Sequence, residues 1–206
     1  MGCFASGPHR HRGMHAVAVG AFAIAALSGC VSLPPAPAPS AESTPLDALV
    51  GLAAERLASA EGAAAAKWQT EARVDDPART QEVLAGVRAL AGQHDVAPEF
   101  AELVFIDQIQ ATESIQYARF AEWKLSPTEA PVERPKLTDV RADIDRITEA
   151  MIAELSGNRH ALTSPDCTTV RDRALRSTVQ NLELSDLYER ALTRATQSYC
   201  VNAETP

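Results

Sequence analysis

A chain of 206 residues has room for one domain with a sizeable core and hardly for two. Its net charge of −8 argues against nucleic acid as a partner, because no uniformly basic surface is available to neutralise phosphates. Apolar residues at 46% and charged ones at 22% exclude a disordered chain, and an alanine-rich composition sparse in β-branched residues leans towards helices.

The first element is an export signal. Arg10 and Arg12 precede a run from Ala16 to Leu27 that is apolar apart from Gly20. The run is too short to span a bilayer but has the length of an h-region, so residues 1–29 are predicted to form a signal peptide. Leu27-Ser28-Gly29-Cys30 matches a lipobox, whose cysteine is diacylated and becomes the new N-terminus. An ordinary signal peptide cut further on, with Cys30 incidental, is the alternative, and Met14 is an alternative start. Each reading ends outside the cytoplasm, in the periplasm or cell envelope if the lipid anchor is made and secreted otherwise. The membrane is a partner only through that anchor.

Residues 30–43 are rich in Pro, Ala and Ser, a semi-rigid tether that cannot pack. The domain, residues 44–206, opens at Thr44-Pro45, read as an N-cap followed by proline at the first helical position. Leu46, Val50, Ala53, Leu57, Ala60, Ala64 and Lys67 then recur at four-three spacing, the inward stripe of a long helix to about Arg73. Asp76-Pro77 opens a second helix to about His94, and Ala97-Pro98-Glu99 a third to about Lys124. Pro127, Pro131 and Pro135 make the stretch from Leu125 to Lys136 a long connection. Thr138 begins a fourth helix, with Arg141, Ile144, Met151 and Leu155 along one face, and Ser164-Pro165 and Ser185 open two shorter ones. No period-two pattern occurs, so the predicted architecture is an all-α bundle of about six helices.

Cys3 leaves with the signal and Cys30 carries lipid, so Cys167 and Cys200 remain to form a disulfide in an oxidising compartment. No histidine or further cysteine stands at ligand spacing nearby, and no metal is predicted.

Polar residues interrupt the core stripes. On the third helix Thr112 and Gln116 continue the spacing of Phe105 and Ile109. On the first, Arg56 and Lys67 lie close to three turns apart and face the same way, with the small residues Ala60, Ala63 and Ala64 between them. Arg141 falls between Leu137 and Ile144 on the fourth. Each alone has an ordinary reading: an arginine beside an apolar stripe snorkels to water, an inward threonine bonds its own helix, and Asp76 caps one. Together, cations on several helices beside small residues point to a pocket for a dianion.

Arg56, Lys67-Trp68, Asp76, Arg79, the run Asp107-Gln108-Ile109-Gln110-Ala111-Thr112-Glu113 and then Gln116 resemble the signature of the helical chorismate mutases. Arg119-Phe120-Ala121-Glu122-Trp123-Lys124-Leu125 and Ala195-Thr196-Gln197-Ser198-Tyr199-Cys200 are similar to the secreted, disulfide-containing class, and the likeness runs from about Leu46 to Cys200. The resemblance implies rearrangement of chorismate to prephenate without any cofactor, and allows a homodimer. It implies that Arg56, Arg79 and Arg141 clamp the two carboxylates with Thr112 assisting, that Asp76 belongs to the substrate site, and that Lys67 and Gln116 donate to the ether oxygen. In the secreted class the third arginine comes from the same chain, so the pocket is expected within one copy.

Two departures stand out. Secreted relatives can carry glutamate where this chain has Gln116, and some carry a glutamine, able to bond the substrate hydroxyl, where it has Val83. Thr80 or the backbone at Asp76 is left to take over that bond. The rivals are an isochorismate pyruvate lyase on the same fold and a non-catalytic lipoprotein that binds a small dianion.

Overall fold

Proline sets where two of the long helices begin, Pro77 and Pro98 each standing at the first helical position. A computed structural model describes residues 43–133 and 135–200; the signal peptide, Cys30 and nearly all of the tether lie outside the described residues. Seven α-helices stand among them: α1 Asp47–Thr70, α2 Pro77–Gln93, α3 Pro98–Leu125, α4 Leu137–Gly157, α5 Arg159–Leu162, α6 Cys167–Asn181 and α7 Asp186–Ala195. The one-turn α5 carries no start signal of its own, and a 3₁₀ turn, Pro127–Glu129, lies inside the predicted connection.

Asp76 caps α2 as expected, its carboxylate accepting from the Arg79 amide at 3.1 Å. Thr44 does not use its hydroxyl that way. Its hydroxyl and its amide both donate to the Asp47 carboxylate, at 2.6 and 2.8 Å, and the helix starts at Asp47. This is half of a capping box, with the acid reaching back and the threonine not reaching forward. At the other end of α1, Glu71 takes the left-handed conformation, φ 56°, and the Ala72 amide closes on the Lys67 carbonyl at 3.0 Å. That reversal brings Val74 back towards Lys67.

α1 packs against α3, α4, α6 and α7, while α3 also receives α2. Leu46, Leu49, Val50, Ala53, Leu57 and Ala60 of α1 join Val104, Phe105 and Ile115 of α3, Met151, Ile152 and Leu155 of α4 and Leu192 of α7 in the main core. A second apolar cluster closes the far end, where Trp68 meets the Phe120 ring at 5.2 Å and the Trp123 ring at 5.6 Å, both edge-on. Between the two clusters the α1–α3 seam is polar, and that is where the site lies. Gly62 marks the close approach of α1 to α4, since a β-carbon there would stand 3.3 Å from the Val140 side chain. The same approach carries Arg141, one residue on, to the seam.

Cys167 and Cys200 are disulfide-bonded, with α-carbons 5.6 Å apart, so the start of α6 holds the end of the segment after α7. Beneath the seam Asp107 accepts from the Ser198 amide at 3.0 Å and pairs with Arg194 at 2.7 Å, while Gln108 donates to the Ala195 carbonyl at 3.0 Å. The end of α7 and the turn after it are thereby fixed to α3.

Candidate active site

A cleft open to solvent is lined from α1 by Arg56, Ala63 and Lys67, and from α2 by Arg79, Thr80 and Val83 with Asp76 at its cap. From α3 come Ile109, Thr112, Glu113 and Gln116, and from α4 Leu137, Arg141 and Ile144. All seven residues predicted for substrate and catalysis therefore meet in one place, and all come from one chain.

Arg56 is the deepest cation, only 4% exposed. One guanidinium nitrogen, Nη1, donates to the Thr112 hydroxyl at 3.3 Å, and the group lies 5.7 Å from the Phe105 ring centre. Among the described residues no carboxylate pairs with it, and its Nε has no partner. Burial pulls its pKa down to about 10, partly opposed by the more distant Tyr199 and Asp145, so it is still charged at neutral pH. The Thr112 hydroxyl in turn donates to the Gln108 carbonyl at 2.8 Å, the ordinary helical bond expected of an inward threonine. Its oxygen is what Arg56 uses.

Lys67 is half-buried and donates to the Val74 carbonyl at 2.6 Å. Burial lowers its pKa, with Glu113 and then Asp76 pulling it back up. Gln116, 3% exposed, spends one amide hydrogen on the Thr112 carbonyl at 3.4 Å, and its buried Oε1 has no partner among the described residues. An amide carries a second hydrogen that this bond leaves free. At the rim Arg79 pairs with Glu82 at 2.9 Å and Asp145 at 3.1 Å, and Arg141 stands 3.8 Å from Asp76.

Four cations converge on a cleft in which the deepest pairs with no carboxylate among the described residues. A family profile, chorismate mutase type II, matches residues 47–117, which span α1, α2 and α3 to just past Gln116. The secreted chorismate mutase of Mycobacterium tuberculosis is 42% identical over 152 residues, covering 74% of this chain and 76% of that protein. The secreted chorismate mutase of Mycolicibacterium smegmatis is 40% identical over 178 residues, covering 86% of this chain and 97% of that one. The chain belongs to the chorismate mutase type II family.

Solved chorismate mutases share the fold. That of Burkholderia phymatum superposes with a TM-score of 0.72 at 28% identity, covering 77% of this chain and 97% of that one. The secreted chorismate mutase of Yersinia pestis, at 21% identity, agrees in fold alone, with a TM-score of 0.61. As a chorismate mutase this protein is an isomerase, converting chorismate to prephenate.

The mutase cleft also corrects the sequence reading in two details. Of the three alanines expected to leave room between Arg56 and Lys67, only Ala63 lines the cleft; Ala60 and Ala64 are packed into the two apolar clusters. And Glu113, which the motif contains without any assigned role, faces the cleft one turn before Gln116. A signal for it existed: Glu113 follows Thr112 directly and sits three residues before Gln116, on the edge of the polar stripe.

Proposed function

We propose that this mutase binds chorismate in the α1–α4 cleft, with Arg56, Arg79 and Arg141 on its two carboxylates and Thr112 assisting Arg56. Lys67 and Gln116 donate to the ether oxygen, and Asp76 holds the start of α2 and braces Arg141. The observation that supports this most is Arg56, a buried guanidinium that no carboxylate pairs with among the described residues. Leaving such a charge unpaired is costly, and a substrate carboxylate removes the cost on binding.

The rearrangement breaks one C–O bond and makes one C–C bond in a single pericyclic step, with no covalent attachment to the protein. Two things accelerate it: holding the compact, chair-like conformer, and donors aimed at the oxygen on which negative charge grows. Planar, permanently charged guanidinium forks suit the first task. A primary ammonium and an amide N–H suit the second, and both are half or more withdrawn from water, where such donors act most strongly. With every group supplied by one chain, the cleft needs no residue from a second copy.

Export belongs to the same reading. The two curated relatives carry "secreted" in their names, and residues 1–29 read as a signal peptide, so we place the mature enzyme outside the cytoplasm, diacylated at Cys30. Cys30→Ala followed by membrane fractionation tests the anchor, with release into the soluble fraction as the expected outcome. For the site, chorismate consumption by residues 40–206 is followed by absorbance, with phenylpyruvate after acid treatment as the product check. Turnover that survives intact in a folded Lys67→Ala protein removes this assignment.

A further inference from the structure

Glu113 lines the cleft, is half-buried, and among the described residues forms neither a hydrogen bond nor an ion pair. The other carboxylate that lines it, Asp76, is committed: one oxygen accepts from the Arg79 amide and the other faces Arg141. Chorismate is a dianion whose single hydrogen-bond donor is its ring hydroxyl. Cations line most of this cleft and cannot accept that proton; besides Glu113 and Asp76 the acceptors on its walls are neutral, the Thr80 and Thr112 hydroxyls and Gln116 Oε1, and Thr112 already accepts from Arg56. Val83, on the α2 wall, is apolar and offers nothing to it.

Substrate geometry picks out the position of the missing acceptor. The hydroxyl and the ether oxygen sit on adjacent ring carbons, so the partner of the hydroxyl stands near the groups that hold the ether oxygen. Glu113 precedes Gln116 by three residues on α3, a spacing that sets two side chains side by side on a helix. It is also the strongest charged neighbour of Lys67. It thus borders both groups assigned to the ether oxygen. Resting on that assignment, we propose that Glu113 is the specificity-determining residue for the ring hydroxyl, its carboxylate accepting the O–H beside Lys67 and Gln116.

Lys67 holds the carboxylate partly back from the upward pKa shift that burial imposes. An ionised acceptor makes a stronger bond to a hydroxyl than a neutral one. The interaction also fixes the ring's orientation, since it ties the hydroxyl-bearing carbon to α3 while Lys67 and Gln116 hold the ether oxygen on the neighbouring carbon.

The test uses two substrates, chorismate and an analogue lacking the ring hydroxyl, each rate taken relative to its uncatalysed reaction. Glu113→Ala is expected to lose about 10- to 100-fold in kcat/KM on chorismate and to change less than about two-fold on the analogue, the scale of a charged hydrogen bond. Glu113→Gln keeps an acceptor oxygen, is expected to lose less on chorismate, and supplies the same comparison if the alanine protein does not fold. Equal losses on both substrates would mean that Glu113 acts through Lys67, and no loss would mean that it does not touch substrate; either overturns the proposal. So does the same selective loss appearing in Thr80→Val instead. Lys67→Ala, run beside them, separates the two levels: if it loses activity on both substrates the cleft assignment stands whatever Glu113 does.

Discussion

Asp107 and Arg56 are equally buried, each 4% exposed, yet the protein treats the two charges differently. Asp107 on α3 is neutralised from within, by Arg194 at 2.7 Å and the Ser198 amide at 3.0 Å. Arg56, which meets α3 five residues further along at Thr112, has a hydroxyl and an aromatic ring but, among the described residues, no paired carboxylate. A buried charge with its partners supplied serves the fold. A buried charge without them marks a place where something from outside completes the structure. The same helix thus carries a layer that fastens α7 and, above it, a layer prepared for substrate.

Removing the cations of the upper layer tests this contrast most severely. Lys67→Ala is expected to lower kcat by roughly 100-fold or more, equivalent to about 3 kcal/mol of transition-state stabilisation, with the melting temperature almost unchanged. Arg56→Leu is expected to abolish most turnover while leaving stability equal or higher, because a desolvated charge is replaced by an apolar side chain. An Arg56→Leu enzyme that melts well below the parent would place Arg56 with Asp107 among the fold's own charges.

Next in size is the clasp at the other end. Reduction of Cys167–Cys200, which closes 33 residues of chain, is expected to lower stability by roughly 3–4 kcal/mol in the chain-entropy model, measured by urea denaturation with and without reductant. Arg194→Ala strands the buried Asp107 carboxylate and is expected to cost about 3 kcal/mol, with turnover per folded molecule retained. If Arg194→Ala instead removes activity without destabilising the fold, the lower layer is not purely structural.

The smallest effect is the pH profile. Gln116 donates whatever the pH, whereas a carboxylic acid in its place would lose its proton near neutrality, so activity is expected to stay level from mildly acidic to neutral conditions. On the alkaline side the sign follows from Lys67. Only its protonated form donates, and burial sets its pKa below the ordinary 10.5, so the rate falls as pH rises through that lowered value. A steep loss between mildly acidic and neutral pH would overturn the role given to Gln116.

Periodicity and punctuation were sufficient for the bundle itself. Four-three spacing and proline-marked starts located α1, α2, α3 and α4, and the spacing of Arg56 and Lys67 put both on one face before any neighbour was known. Thr112 and Gln116 were legible for the same reason, as polar residues on an apolar stripe. α5 was not, since four residues following Asn158 leave no room for a periodic pattern. Nor was the internal half of the capping at Thr44, because choosing between a hydroxyl on a backbone amide and a hydroxyl on Asp47 depends on the turn's geometry.

What the sequence by itself determined, then, is which faces the helices present and which charges stand on them, because both follow from rotation about a single helix axis. Which charges meet is a different matter. Arg194 reaches Asp107 across 87 residues of chain and Arg79 reaches Asp145 across 66, while among the described residues no carboxylate pairs with Arg56. Those outcomes depend on how neighbouring helices cross, and crossing is decided by side-chain packing over the whole core. Ala60 and Ala64 were therefore drawn into the apolar clusters and Ala63 left at the cleft, and Glu113 was turned towards the space beside Lys67.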